Sequence, residues 1–292
     1  MMKTYNVCWS GGVDSTFVVT QLSQFPVIIR PFYIKGQTFR QSEPQELEAI
    51  AKISDLLNKD QRTKASILPI SVIEHNDPRI KTREIINAHR RIYVHQLEKY
   101  KAQHDGKLPP AGSQQIYADG AYISPQYVAC ESLAKYLGEP IELGFLLEDI
   151  EHYPAFQNCS TVVTCDETTG RNLMRLSEDN EDKDLYTIFE DLLFPIPGQR
   201  MYKRDVWQWY EDHGYAQVRY NTISCQAPVL HDDGTWEPCG ICAACIGVIR
   251  ANLLEKFTEA GLARYQDYEE NHEKEPERFK LEAWRRTPPP DK

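Results

Sequence analysis

The sequence of 292 residues lacks any run of about 18 apolar residues, the length that a helix needs to cross a bilayer. Its opening stretch, MMKTYNVCWSGG, has neither the apolar core nor the small-residue cleavage site of a secretion signal. Positive charge is also scarce, because 33 Lys and Arg stand against 43 Asp and Glu, a net charge of −10. We therefore expect a cytoplasmic protein, and the shortage of basic residues argues against one that coats DNA or RNA.

A glycine-containing segment connects a predicted strand to a predicted helix, and we call residues 10–16 the glycine loop. It reads Ser10, Gly11, Gly12, Val13, Asp14, Ser15, Thr16. The glycines let backbone N–H groups approach a ligand, the helix start attracts anions, and the three hydroxyl groups add donors. The segment therefore predicts a phosphate cradle, with a Mg²⁺ ion that bridges phosphate and Asp14. No lysine follows the glycines, so this is not the GxxxxGK[ST] loop, and a ligand-free glycine turn is the alternative.

Four of the eight cysteines fall close together near the C-terminus, at Cys225, Cys239, Cys242 and Cys245. Four thiolates at these intervals can surround one Zn²⁺ tetrahedrally, and such a closed site is normally structural. Disulfides and an iron–sulfur cluster are the alternatives. His231 is a possible spare ligand. The other cysteines show no such pattern, and we expect Cys8 and Cys130 to be buried thiols.

The order of predicted elements indicates the fold class. Strand-like and helix-like segments alternate through the first half of the chain, which favours an α/β fold with a doubly wound parallel sheet. We predict an α/β domain over residues 1–192 and a helical, zinc-binding region over residues 193–268. A charged tail, expected to be mobile, covers residues 269–292.

Both motifs carry a resemblance to a known family. The sequence SGGVDS resembles the signature of the PP-loop ATP pyrophosphatases, which activate a carboxyl, carbonyl or ring carbon by adenylation and release pyrophosphate. The C-terminal CGICAAC is followed by Arg250-Ala251-Asn252. Taken together, the two ends are similar to the 7-cyano-7-deazaguanine synthase (QueC-like) family, with weaker agreement through the middle of the chain.

The resemblance implies an ATP-dependent C–N ligase with a Rossmann-like fold of the adenine nucleotide alpha hydrolase type, with ATP, Mg²⁺ and Zn²⁺ as cofactors. Such an enzyme adenylates the carboxylate of 7-carboxy-7-deazaguanine and couples it to an amine; the family also implies a homodimer. We expect Ser10, Asp14, Ser15 and Lys203 to act in catalysis. Lys35 and Gln37 follow the second strand, at the sheet edge where doubly wound folds bind ligands, so we add them to the nucleotide site. A surface loop and a solvated helix lysine are the alternatives for these residues.

The middle of the chain departs from the family pattern. Ala118 to Tyr122 stand where the family has Pro-Gly-Arg-Asn, and Ala155 replaces the Asp that follows a shared Tyr153-Pro154. A guanine-like base offers N–H donors, so Glu148, Asp149 or Glu151 could supply the carboxylate, with Tyr153 beside it. A solvated acidic loop is the alternative.

These departures put the nitrile product in question. Ammonia gives a primary amide and then a nitrile, whereas a protein amine gives a secondary amide at which the chemistry stops. Divergent members of the family are associated with bacterial antiviral defence operons, which makes a protein amine a candidate acceptor. A PP-loop tRNA thiolase and a non-catalytic, zinc-stabilised interaction module are the competing functions. The charge of −10 weighs against the first, and the intact glycine loop weighs against the second.

Overall fold

The computed structural model describes residues 2–36, 41–80, 82–106, 125–147, 159–196, 198–272 and 274–275. The chain divides into two compact units. The sheet unit contains Met1–Ser10, Asp14–Gln37 and Leu57–Tyr202, and the cysteine unit contains Gly11–Val13, Thr38–Leu56 and Lys203–Lys292. The chain therefore passes from one unit to the other more than once, and the glycine loop has residues in both. The sequence-based boundaries at 192 and 268 stay predictions.

The sheet unit is an α/β structure. Its strands are β1 (Thr4–Cys8), β2 (Ile28–Lys35), β3 (Ser66–Ile67), β4 (Ser71–Glu74), β5 (Ile141–Glu142), β6 (Thr161–Cys165), β7 (Asn172–Leu176) and β8 (Leu192–Ile196). They lie in the order β3-β2-β1-β5-β8-β7-β6, and β4 also pairs with β2. Strands β1 to β5 and β8 pair in parallel, and β6 and β7 add an antiparallel edge. The predicted α/β class with a mostly parallel sheet is confirmed.

The helices are α1 (Val13–Ser23), α2 (Glu43–Lys59), α3 (Arg83–Gln103), α4 (Pro125–Leu137) and α5 (Lys183–Phe189). One face of the sheet packs on α3, α4 and α5 through a cluster that includes Cys8, Phe32 and Ile34. Side chains alternate along a strand, so Val7 and Ile29 point to the opposite face, and both are fully buried. Both faces are therefore covered, which explains why β2 is an almost continuous apolar run.

Strand β1 lies where the chain order reverses, with β2 on one side and β5 on the other. In doubly wound sheets, ligands bind at the carboxyl ends of the strands at such a point. The glycine loop leaves the carboxyl end of β1, so the topology places it there.

The cysteine unit contains short elements. They are α6 (Lys203–Asp212), α7 (Ala216–Asn221), β9 (Val229–Leu230), β10 (Trp236–Glu237), α8 (Ala243–Arg250) and α9 (Glu259–Asn271). Helix α6 buries Val206, Trp207 and Tyr210, and β9 and β10 form an antiparallel hairpin. Thr258 caps α9 by accepting the N–H of Gly261. Among the residues described, no helix combines the length and the apolar character needed to cross a membrane.

Candidate functional site

Within the sheet unit, the structure brings the predicted hydroxyl groups of the glycine loop together. The Oγ of Ser15 accepts the N–H of Ser10 at 3.2 Å, and it lies 3.1 Å from the Oγ of Ser10. The Nε1 of Trp9 donates to the Oγ1 of Thr16 at 2.9 Å. The backbone N–H of Trp9 also donates to the Phe32 carbonyl at 2.8 Å, which extends the β1–β2 pairing to the start of the loop. Hydrogen bonding thus fixes Trp9, the residue directly before the loop, against strand β2.

A glycine that the sequence reasoning overlooked lies against the start of α1. A Cβ added at Gly144 would lie 2.3 Å from the carbonyl carbon of Asp14 and 2.5 Å from the backbone nitrogen of Ser15. Only a residue without a side chain allows the segment after β5 to approach the first turn of α1 this closely. Gly144 lies inside the strand-like segment that runs from Ile141 to Leu147, and a glycine inside such a segment is only a weak sign of close backbone approach.

Within the cysteine unit, Gly11 is held on two sides. Its φ of +71° lies in the left-handed region, and a Cβ here would lie 2.9 Å from the carbonyl oxygen of Glu46. The backbone N–H of Ile223 donates to the Gly11 carbonyl at 2.9 Å. The Tyr210 hydroxyl donates to the carbonyl of Val13 at 3.4 Å. These contacts join residues that the sequence reasoning had not linked to the loop.

The arrangement suits an anion. Helix α1 begins at Val13, so its first N–H groups have no partner within the helix, and its positive dipole end adds to the attraction. Ser10 and Ser15 supply hydroxyl donors next to it. Asp14 lies in the first turn of α1, and a carboxylate there is a suitable oxygen ligand for Mg²⁺.

The remaining predicted site residues are more scattered. Lys35 ends β2 and pairs with Glu74 at 3.5 Å. Lys203 begins α6 in the cysteine unit and is partly buried. The predicted residues Gln37, Glu148, Asp149, Glu151 and Tyr153, the segment 118–122 and the tail from 276 onward lie outside the described residues.

The four predicted metal ligands converge. The Sγ atoms of Cys225, Cys239, Cys242 and Cys245 all lie within 4.8 Å of one another. Zinc–sulfur bonds of about 2.3 Å in a tetrahedron require sulfurs about 3.8 Å apart, and the Sγ atoms of Cys239 and Cys245 are 4.0 Å apart. Four thiol groups, three of them buried and that of Cys242 partly buried, can hold a metal ion such as zinc. His231 belongs to the hairpin turn after β9 and is not a member of the cluster.

Backbone N–H groups point at the sulfurs. Cys239 donates to the Sγ of Cys225 at 3.3 Å, Cys242 donates to the Sγ of Cys239 at 3.3 Å, and Cys245 donates to the Sγ of Cys242 at 3.4 Å. Such bonds favour the thiolate form that a metal requires. Hydrogen bonding with Cys225 lowers the pKa of Cys239 and of Cys242. In return, hydrogen bonding with Cys239 raises the pKa of Cys225.

A tightly packed turn supports the cluster. Gly240 has a φ of +82°, and a Cβ there would lie 2.2 Å from the carbonyl oxygen of Gly261. Arg264 donates through Nε to the Cys239 carbonyl at 2.9 Å and through Nη2 to the Glu237 carboxylate at 2.6 Å. Arg264 therefore joins α9 to the metal-binding turn, a role that no spacing in the sequence indicated.

The other cysteines behave as expected where the structure tests them. Cys8 and Cys130 are buried thiols, and their Sγ atoms lie 2.9 Å apart. Cys159 is partly buried, and Cys165 is exposed.

Comparison with known proteins adds no family assignment. No protein-family model matches the chain, and no curated protein matches it.

Proposed function

We propose that this chain is an ATP-dependent C–N ligase of the PP-loop type, with a deazaguanine carboxylic acid as its substrate. One observation carries the proposal: the hydroxyl groups of Ser10 and Ser15 converge beside the start of α1, at the carboxyl end of the strand where the chain order reverses. This position and these donors favour the binding of a nucleoside triphosphate.

The chemistry follows from the weakness of a carboxylate as an electrophile. A carboxylate oxygen attacks the α-phosphorus of ATP, the bond to the bridging oxygen breaks, and pyrophosphate leaves. The amine nitrogen then attacks the acyl carbon, AMP leaves with the bonding pair, and the amine loses a proton. Ser10, Ser15 and the N–H groups of α1 hold the phosphates and stabilise the charge that develops on them.

Two metals complete the proposal. Mg²⁺, held by Asp14 and the phosphates, would neutralise phosphate charge. Zn²⁺ in the four-cysteine cluster would be structural, since all four positions around it are taken by protein ligands. Lys203, Lys35 and Gln37 are proposed as further phosphate or nucleotide contacts, and Glu148, Asp149 and Tyr153 as base contacts.

The amine is proposed to be ammonia or a protein amine. Ammonia allows the primary amide to be activated by a second ATP and converted to 7-cyano-7-deazaguanine. A protein amine ends the reaction at a conjugate, and a partner encoded in an antiviral defence operon is the proposed acceptor. Homodimerisation and a cytoplasmic location belong to the same proposal.

Acid-dependent exchange of labelled pyrophosphate into ATP tests the proposal. We expect exchange with 7-carboxy-7-deazaguanine and none without an acid. Ser15→Ala should lower it by about 10- to 100-fold, because a hydrogen bond to a charged group contributes about 1.5–3 kcal/mol. Ser66→Ala is the matched control, since Ser66 is exposed on β3. Exchange that requires tRNA would indicate the thiolase instead, and no exchange with any acid would indicate a non-catalytic module.

Product analysis separates the two amines. The chain is incubated with ATP and the acid, with either ammonia or a peptide amine, and products are identified by mass spectrometry. A peptide amide supports the protein-acceptor branch, and efficient nitrile formation from ammonia contradicts it.

A further inference from the structure

We infer that a metal ion in the cysteine cluster sets the conformation of Gly11 in the glycine loop and thereby controls nucleotide affinity. The effect on nucleotide affinity rests on the proposed function of the glycine loop. The link from the metal ion to Gly11 rests only on contacts within the cysteine unit.

The link is the four-residue segment Ile223–Gln226. At one end, the N–H of Ile223 donates to the carbonyl of Gly11 at 2.9 Å. At the other end, the carbonyl of Gln226 accepts the N–H of Gln41 at 2.9 Å. Between these two bonds lies Cys225, which is a member of the metal-binding cluster.

The cluster also holds the backbone of this segment directly. The N–H of Gln226 donates to the Sγ of Cys242 at 3.4 Å, and a thiolate bound to a metal can still accept this bond. The segment is therefore fixed by sulfur atoms whose own positions depend on what binds them.

Helix α2 gives the segment a second route to Gly11. Gln41, tied to Gln226, directly precedes Ser42, whose hydroxyl donates to the buried carboxylate of Glu46 at 2.7 Å. The carbonyl of Glu46 is the group that a Cβ on Gly11 would strike. Ile223 and Glu46 both contact Gly11. Both also connect to the segment that carries Cys225.

Gly11 needs these two contacts to keep its conformation. Glycine visits the left-handed region about as readily as the right-handed one, so its own conformational preference does not hold the loop in the observed form. A bound metal ion would hold the four sulfurs of the cluster together, and metal binding to such a site supplies folding free energy. Loss of the metal should therefore release Cys225, then the N–H of Ile223, and then the carbonyl of Gly11.

A contact next to the segment limits how far the loss of the metal should loosen the backbone. The carbonyl and hydroxyl of Thr222, directly before the segment, both accept from the ammonium of Lys256. This anchor does not involve sulfur, so release should begin after Thr222 and spare α7.

Hydrogen exchange on the full chain tests the link, with Zn²⁺ as the metal and a chelator to remove it. We expect removal to speed exchange of the Ile223 amide by at least about tenfold, as the loss of one well-made hydrogen bond would do, and to leave α7 protected. We expect the Kd for ATP, measured by calorimetry, to rise by at least about tenfold, and added Zn²⁺ to restore both. Unchanged Ile223 exchange and unchanged ATP affinity would overturn the inference. Absence of ATP binding by the zinc-loaded chain would instead refute the proposed function, and the exchange of Ile223 would still report on the link.

A pair of variants separates the link from general unfolding. Ile223→Pro removes the N–H that Gly11 requires but keeps all four cysteines. Thr222 has an extended backbone, with φ −69° and ψ 149°, and extended backbone is what a residue before proline prefers. Ile223→Ala keeps the N–H and removes the side chain. With zinc content equal in both, ATP affinity should be at least about tenfold weaker in the proline variant, and equal affinities would contradict the inference.

Discussion

The glycine loop and the cysteine cluster share one structural device, and the ligands that we propose for them carry opposite charges. In each, a glycine with positive φ is pressed against a carbonyl oxygen, Gly11 against Glu46 and Gly240 against Gly261. The loop presents N–H and hydroxyl donors that tolerate one another without a ligand. The cluster presents four sulfurs that repel one another once ionised. A site for an anion can thus be built before its ligand arrives, whereas this site for a cation depends on its ligand for stability.

Removal of one cysteine from the cluster should have the largest effect on the difference between the cluster and the glycine loop. Cys239→Ser takes a thiolate from the cluster, and we expect bound zinc, measured by elemental analysis, to fall to background. Zinc binding to small structural sites is worth about 10–16 kcal/mol, so the unfolding free energy should fall by several kcal/mol. Cys165→Ser is the control, because Cys165 is exposed and outside the cluster. A Cys239→Ser chain with full zinc content would show that the fourth ligand is dispensable.

A methyl group at Gly240 should have the next largest effect. Gly240→Ala brings a Cβ to 2.2 Å from the carbonyl oxygen of Gly261, and we expect a loss of about 2–5 kcal/mol in denaturant unfolding from strain and overpacking together. Gly234→Ala is a close control, since φ is +80° there but no atom lies within 4 Å of the added Cβ. It should lose only the strain of about 1–2 kcal/mol. Equal losses would mean that the close approach to Gly261 contributes nothing.

A methyl group at Gly144 should affect the anion site and spare the cation site. Gly144→Ala forces Asp14 and Ser15, at the start of α1, away from the segment after β5, so we expect the Kd for ATP to rise by about tenfold or more, with zinc content unchanged. Gly247→Ala, in α8 with open space around it, should leave the Kd for ATP as it is. If Gly144→Ala binds ATP normally, the position of the α1 start is not what holds the nucleotide.

The smallest expected effect concerns Lys256, which anchors the residue before the linking segment. Burial, and then the charge of Arg219, lowers the pKa of Lys256 from its usual 10.5 to about 7. The unfolded chain therefore binds this proton more tightly, and the stability that the group contributes is fully present above pH 10.5 and is lost as the pH falls from 10.5 to about 7.

Lys256→Met should reduce the slope of the unfolding free energy against pH by about 1 kcal/mol per pH unit between pH 8 and 10, measured by urea unfolding. Lys52→Met is the control, because Lys52 is exposed on α2. A variant whose pH dependence matches that of the unchanged chain would show that Lys256 keeps its proton in the folded protein.

Local patterns in the sequence predicted the local parts of this structure. The strand before the glycine loop, the helix after it and the convergence of four cysteines all follow from spacing of a few residues. The apolar period from Leu47 to Leu57 predicts a helix from Pro44 to Leu57, and the structure has α2, Glu43–Lys59, because such a period acts within single turns.

What the sequence did not predict depends on contacts between distant residues. The length of β5, which covers only Ile141 and Glu142, depends on its neighbours β1 and β8. The antiparallel edge β6–β7 was missed because its register depends on β8. The hydrogen bond from Ile223 to Gly11 joins residues that are far apart in the sequence, and no local periodicity predicts it.

The anchoring of the glycine loop by distant residues also sets an order of events during synthesis. Val13 leaves the ribosome early, but Tyr210, which donates to its carbonyl, follows 197 residues later, and Ile223 follows later still. At about 5–20 residues per second, the first strands can pair many seconds before the loop acquires its later contacts. A nascent chain thus carries an incomplete loop until its cysteine segment emerges, and the nucleotide binding that we propose can begin only then.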